Sequence, residues 1–144
     1  MEKIIKQFTY IILGGAMALS IGCGGAELDK GSSGFAPDSI GGKIATITVV
    51  GTPTGDLALG SGISTITFSG STYTEAGDAI PGVDIGTYIY TKDAPGMANI
   101  ILTSTTHSTV GTVILTFTSY TAGTYAYTLS SGGTGSQSGT FTLN

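Results

Sequence analysis

One histidine, one cysteine and no tryptophan occur in the 144 residues, so the side chains able to do chemistry can be weighed singly. His107 stands in Thr105-Thr106-His107-Ser108-Thr109, a polar stretch between two apolar runs. A zinc site needs several nitrogen, sulfur or carboxylate ligands, and a lone histidine with no cysteine near it supplies no such set; it reads as an exposed loop residue. Serine is abundant, but the G-x-S-x-G nucleophile elbow is absent, since Gly135-Ser136-Gln137-Ser138-Gly139 puts Gln137 in the nucleophile's place. Glu75, Asp78 and Asp84 are the one concentration of carboxylates within residues 42–144. Their spacing matches neither a calcium loop nor a fixed acid and base pair, and they read as a solvated loop. No catalytic residue, metal ligand or cofactor site is expected, and the glycines are too dispersed to cradle a phosphate.

The tyrosines say more. Tyr73, Tyr88, Tyr90, Tyr125 and Tyr127 fall on the same face of alternating runs, and a tyrosine combines an apolar body with a hydroxyl that needs a partner when buried. They either fill a core or line a pocket. Tyr88, Tyr90, Tyr125 and Tyr127 are the candidate residues for holding a small hydrophobic ligand.

Cys23 carries a different chemistry. Lys3 and Lys6 precede an uncharged stretch from Phe8 to Ile21, 14 residues long, which is short of the roughly 20 that a membrane-spanning helix requires. The order of charged start, apolar run, small residue and cysteine resembles the signal peptide of bacterial lipoproteins, with Leu19-Ser20-Ile21-Gly22-Cys23 in the position of the lipobox. Ser20 stands where that pattern has its aliphatic residue, and Leu19 lies one place further out. The resemblance implies cleavage after Gly22 and lipidation of Cys23, which would also remove the hazard of an unpaired thiol in an oxidising compartment. Cleavage after Ala16-Met17-Ala18, giving a soluble secreted protein, and an uncleaved hydrophobic tail are the alternatives. The expected organisation is a signal peptide over 1–22, a flexible tether over 23–41 rich in Gly and Ser, and one domain over 42–144. The expected location is the bacterial cell envelope, with an outer-membrane or periplasmic face favoured because Gly24 after the cysteine is uncharged.

From residue 23 onward the chain has Lys30, Lys43 and Lys92 against Glu27, Asp29, Asp38, Asp56, Glu75, Asp78, Asp84 and Asp93, and no arginine. Phosphate backbones are bound by Lys and Arg, so nucleic acid is excluded as a partner; the membrane is reached through the lipid. Charged residues make up only 10% of the sequence, and Thr and Ser must supply the wet face, as they do best on sheets.

After Gly42 the pattern is one of short two-residue periods broken by Gly, Pro, Asp and Ser, with nothing that spells a helix. Eight strands are expected, over 43–50, 65–69, 72–76, 87–92, 97–104, 112–118, 124–129 and 140–143. One face of each is apolar and the other mostly threonine, the alternation of an antiparallel sheet with one face wet. Ile44, Ile101 and Ile114 fall on the threonine face, which suggests a covering loop or a contact with another molecule. Short sequential connections favour a meander, and closure of the eight strands would remove exposed edges; a β-sandwich is the alternative. Gly86-Thr87-Tyr88, Gly123-Thr124-Tyr125 and Gly139-Thr140-Phe141 repeat one motif, read as a tight turn followed by an inward ring. These segments, together with Ile66-Thr67-Phe68, Asn99 to Leu102 and Leu115-Thr116-Phe117, resemble small lipocalin-like (calycin-type, MoaF-like) β-barrel domains of bacterial exported proteins. The resemblance covers about residues 42 to 144. It implies an eight-stranded barrel that in some relatives holds a small ligand, and it brings no catalytic residue with it.

Overall fold

The computed structural model describes residues 35–57, 62–80 and 82–144. Among the described residues, runs in which Thr or Ser alternates with apolar residues are extended, giving β1 (Ile44–Val49), β2 (Ile63–Ser69), β3 (Thr72–Gly77), β4 (Val83–Ala94), β5 (Met97–Ser104), β6 (Val110–Ser119), β7 (Ala122–Ser131) and β8 (Ser136–Leu143), with a 3-10 turn at Gly55–Leu57. Each strand pairs antiparallel with its sequence neighbours, and β1 also pairs with β8, Ala45 opposite Leu143 and Ile47 opposite Phe141. The meander is therefore a closed barrel and not a sandwich, and closure leaves no unpaired edge. Among the described residues no helix is long and apolar enough to cross a membrane.

The repeated Gly-Thr-aromatic motif has a different cause from the turn expected of it. Gly86, Gly123 and Gly139 lie within strands and face the interior. Register puts Gly86 opposite Tyr73, and in the β7–β8 pair it puts Gly123 opposite Phe141 and Tyr125 opposite Gly139. A side chain at any of these glycines would run into the facing ring, at 2.7 Å from Tyr73, 2.9 Å from Phe141 or 2.8 Å from Tyr125. An eight-stranded barrel has barely enough lumen for its side chains, and these glycines are where neighbouring rings lie down on bare backbone. The turn role belongs instead to Gly70, whose φ of 58° fits the first central position of the two-residue β2–β3 hairpin.

In a meander the odd-to-even connections gather at one end and the even-to-odd hairpins at the other. At the hairpin end the interior is apolar: Ala45, Phe68, Ala98, Leu115, Phe117, Phe141 and Leu143 are buried there, with the rings of Phe117 and Phe141 edge to face at 5.0 Å. Residues 35–41, which composition assigned to a tether, belong to the body. Ile40 is fully buried and Ala36 nearly so, both within the core cluster. Ala36 N–H donates to the Pro95 carbonyl at 2.9 Å, and Lys92 Nζ reaches Asp38 Oδ1 at 2.9 Å, holding that carboxyl below its usual range. This segment plugs the barrel.

The outer wall is Thr-rich, as the alternation requires. Ile44, Ile101 and Ile114 sit on it about two-fifths exposed, and Ile89, opposite Ile101 in the register, is more exposed still. No described loop covers them.

Candidate functional site

The end away from the plug is not filled. A cavity of about 210 Å³ opens there, walled by Ile47, Ile66, Leu102, Val113 and Leu129 and rimmed by residues of the odd-to-even connections, among them Asp56, Ile80, His107, Thr109 and Gly132. Its polar residues are Tyr73, Glu75, Asp84, Tyr125, Tyr127 and Gln137.

Each arrives by simple strand geometry. Tyr73 and Glu75 are two residues apart on β3 and so point the same way. On β4 the inward positions are Asp84, Gly86, Tyr88 and Tyr90. Glu75 and Asp84 are direct cross-strand partners, an arrangement in which two like charges repel. The expectation that Glu75, Asp78 and Asp84 form a solvated loop therefore fails for two of the three: Glu75 is 8% and Asp84 9% exposed, and only Asp78 faces solvent.

The two buried carboxyls are treated differently. Asp84 is well supplied with donors: Tyr73 Oη donates to its Oδ2 at 2.7 Å and Ser104 Oγ to its Oδ1 at 2.6 Å. Glu75 has no equivalent. Burial, then the charge of Asp84, pushes its carboxyl up to about 7; the Ser64 hydroxyl lies near enough to offset this a little, but makes no hydrogen bond of ordinary geometry. Burial also raises the phenols around it, Tyr125 to about 12 with help from Glu75, and Tyr127 to about 12 with help from Glu75 and Asp84. Tyr73 is raised too, by burial and then by its hydrogen bond to Asp84.

Two further polar atoms at the cavity lack partners. Tyr125 is 4% exposed, yet its hydroxyl meets no hydrogen-bonding group, and neither does Gln137 Oε1. Buried polar atoms are usually paired because the unmet desolvation cost is high. The charges that line the cavity are carboxylates, while Lys43 is exposed on the surface and Lys92 is engaged by Asp38. Among the described residues no group of three or more His, Cys, Asp or Glu side chains is placed to share a metal ion.

The four candidate tyrosines split. Tyr125 and Tyr127 line the cavity. Tyr88 and Tyr90 point inward but lie at the plugged end, where Tyr88 Oη donates to the Gly70 carbonyl at 2.8 Å and Tyr90 Oη to the Pro37 carbonyl at 2.6 Å. Alternation reports which face a residue takes, not its depth along the barrel axis, and on β4, which runs 12 residues, depth decides the neighbours. His107 is an exposed loop residue, as expected, but its loop places it at the cavity rim, with its backbone N–H donating to Ser104 Oγ at 2.9 Å. Tyr73, Glu75, Asp84 and Gln137 are the residues that sequence reasoning did not assign to a site. The signal for Glu75 was its two-residue spacing from Tyr73. Cys23 lies outside the described residues.

Compared with known proteins, the chain matches no family model, no curated protein and no solved structure.

Proposed function

We propose that this protein is a non-enzymatic binding module of the bacterial cell envelope, held to the membrane by a lipid on Cys23, whose lipocalin-like barrel carries a small and largely hydrophobic ligand. The observation that carries the reading is the cavity: about 210 Å³ with five aliphatic walls and a few polar groups gathered in one region, the makeup usual for ligand sites. A cavity of about 150 Å³ holds benzene, so the ligand is on the order of ten non-hydrogen atoms. Because the other end of the barrel is plugged, the rim at Asp56, His107 and Gly132 is the way in.

Uptake of 2-phenylethanol by the full chain, followed through the methyl NMR signals of Leu102, Val113 and Leu129, tests the cavity. Shifts confined to these methyls are expected, and Val113→Phe, which fills the space, should abolish them. Fractionation tests the anchor: Cys23→Ala should move the protein from membrane to soluble fractions, and unchanged partitioning would remove the lipid from the proposal.

A second reading is favoured by one observation, the meeting of Glu75, Asp84 and His107 at one cavity. A carboxyl near 7 is suited to proton transfer at neutral pH, which would make the barrel an acid and base catalyst. The two readings part on the fate of the ligand: a carrier returns it chemically unchanged, by mass spectrometry, after prolonged incubation.

A further inference from the structure

We infer that the cavity selects a small organic cation, an ammonium group on a compact apolar body, with its nitrogen seated among Glu75, Asp84 and the hydroxyl of Tyr125. The inference rests on the reading of the cavity as a ligand site and names what that site prefers.

Two carboxyls face each other across β3 and β4 inside the barrel, and no lysine among the described residues lines the space with them. A buried charge is costly unless paired. Asp84 is satisfied by two hydroxyl donors, but Glu75 must take up a proton or a cation. Tyr125, nearly fully buried, and Gln137 each present an oxygen with no partner. An ammonium has three donors and no acceptor, so it matches a region of unmet oxygens. The rings of Tyr73, Tyr125 and Tyr127 line the same cavity, and aromatic faces attract desolvated cations. A carboxylate ligand would meet repulsion from Glu75 and Asp84, and a bare divalent ion would have two carboxyls and little else where several ligands are needed.

The titratable groups facing Glu75 are Tyr73 on its own strand, Asp84 on β4, and Tyr125 and Tyr127 on β7, with His107 and Asp56 at the rim. A bound ammonium would stabilise the charged carboxylate, so binding should release a proton below neutral pH and tighten as Glu75 ionises.

Calorimetric titration of the full-length protein in lipid nanodiscs with 2-phenylethylammonium, 2-phenylethanol and phenylacetate compares three charges on one ring. The ammonium should bind roughly ten- to hundredfold more tightly than the alcohol, the gain typical of a charge-assisted contact, and phenylacetate should bind most weakly. Glu75→Gln should bring the ammonium's affinity down to the level of the alcohol's in the same variant. Should that variant fail to fold by circular dichroism, the wild-type pH profile decides: ammonium affinity must rise between about pH 5.5 and 8, where the amine keeps its proton. Alcohol binding as tight as ammonium binding, a flat pH profile, or calcium chloride binding that displaces the ammonium would each overturn the inference while leaving a ligand-binding barrel. No binding of any of the three would remove the carrier reading itself.

Discussion

Two tyrosine hydroxyls at one cavity are held in opposite ways, and the difference is measurable. Tyr73 donates to Asp84, so Tyr73→Phe takes one of two donors from a buried carboxylate; hydrogen bonds to charged groups contribute about 1.5–3 kcal/mol, and the variant should lose stability of that order. Tyr125 has no partner for its hydroxyl. Tyr125→Phe removes an oxygen that was desolvated for nothing, and its stability should be equal to or about 1 kcal/mol above that of the parent. Urea midpoints of the two variants, side by side, check this. Equal losses would mean that the Tyr125 hydroxyl is bonded in solution, and the site would lose one of its free acceptors. The same pair separates two kinds of residue: Tyr73 builds the site, whereas Tyr125 stands ready for an occupant.

At the scale of the strand, the glycines and rings of β7 and β8 act as one device. Gly123 lies under Phe141 and Gly139 lies against Tyr125, a reciprocal exchange that fits two large rings into one strand pair. Gly139→Ala would drive a methyl into the Thr48 carbonyl and the Tyr125 ring. Over-packing of this kind costs about 1–3 kcal/mol, so a loss in that range is expected on urea unfolding, and because Tyr125 must move, 2-phenylethanol uptake should weaken too. Stability unchanged by Gly139→Ala would mean that the lumen is looser than the ring contacts imply. This device also shows what the sequence could and could not reveal. The eight runs are legible because threonine or serine alternates with apolar residues on most strands, and closure follows because eight such runs leave edges otherwise exposed. The glycines were misread as turns because only pairing register shows a ring from the next strand lying over them. Glu75 falls inside the expected strand 72–76, where its two-residue spacing from Tyr73 already marks it as inward, whereas Asp84 lies outside the expected strand 87–92 because β4 begins earlier, at Val83. A polar residue on an inward position ends the apparent run of a strand without ending the strand.

Across the whole molecule the interior is divided between two tasks. The plugged end, where Ile40, Phe68 and Phe141 share the core cluster, is apolar, keeps only a small void of about 30 Å³, and supplies stability. The open end gives some of that up, since it holds the cavity and two carboxyls in a space that disfavours charge. This division has a consequence for the dependence of folding on pH. Burial, then the charge of Asp84, pushes the Glu75 carboxyl from its ordinary value of 4.5 up to about 7 in the folded state. Between those values the native state holds a proton that the unfolded chain has released, so stability falls as pH rises through that window, opposite in sign to the usual salt-bridged carboxylate. The loss approaches about 3 kcal/mol above neutrality, tempered by any cation the cavity takes in. Glu75→Gln removes the titrating group while keeping its shape, so its stability should change much less between pH 5 and pH 8 and exceed that of the parent at the higher pH. Urea unfolding at the two pH values measures it. Repeating the parent at pH 8 with 2-phenylethylammonium should recover part of the difference, because a ligand that binds only the folded state stabilises it, and recovery that persists in Glu75→Gln would show that the ammonium is held by something other than this carboxylate.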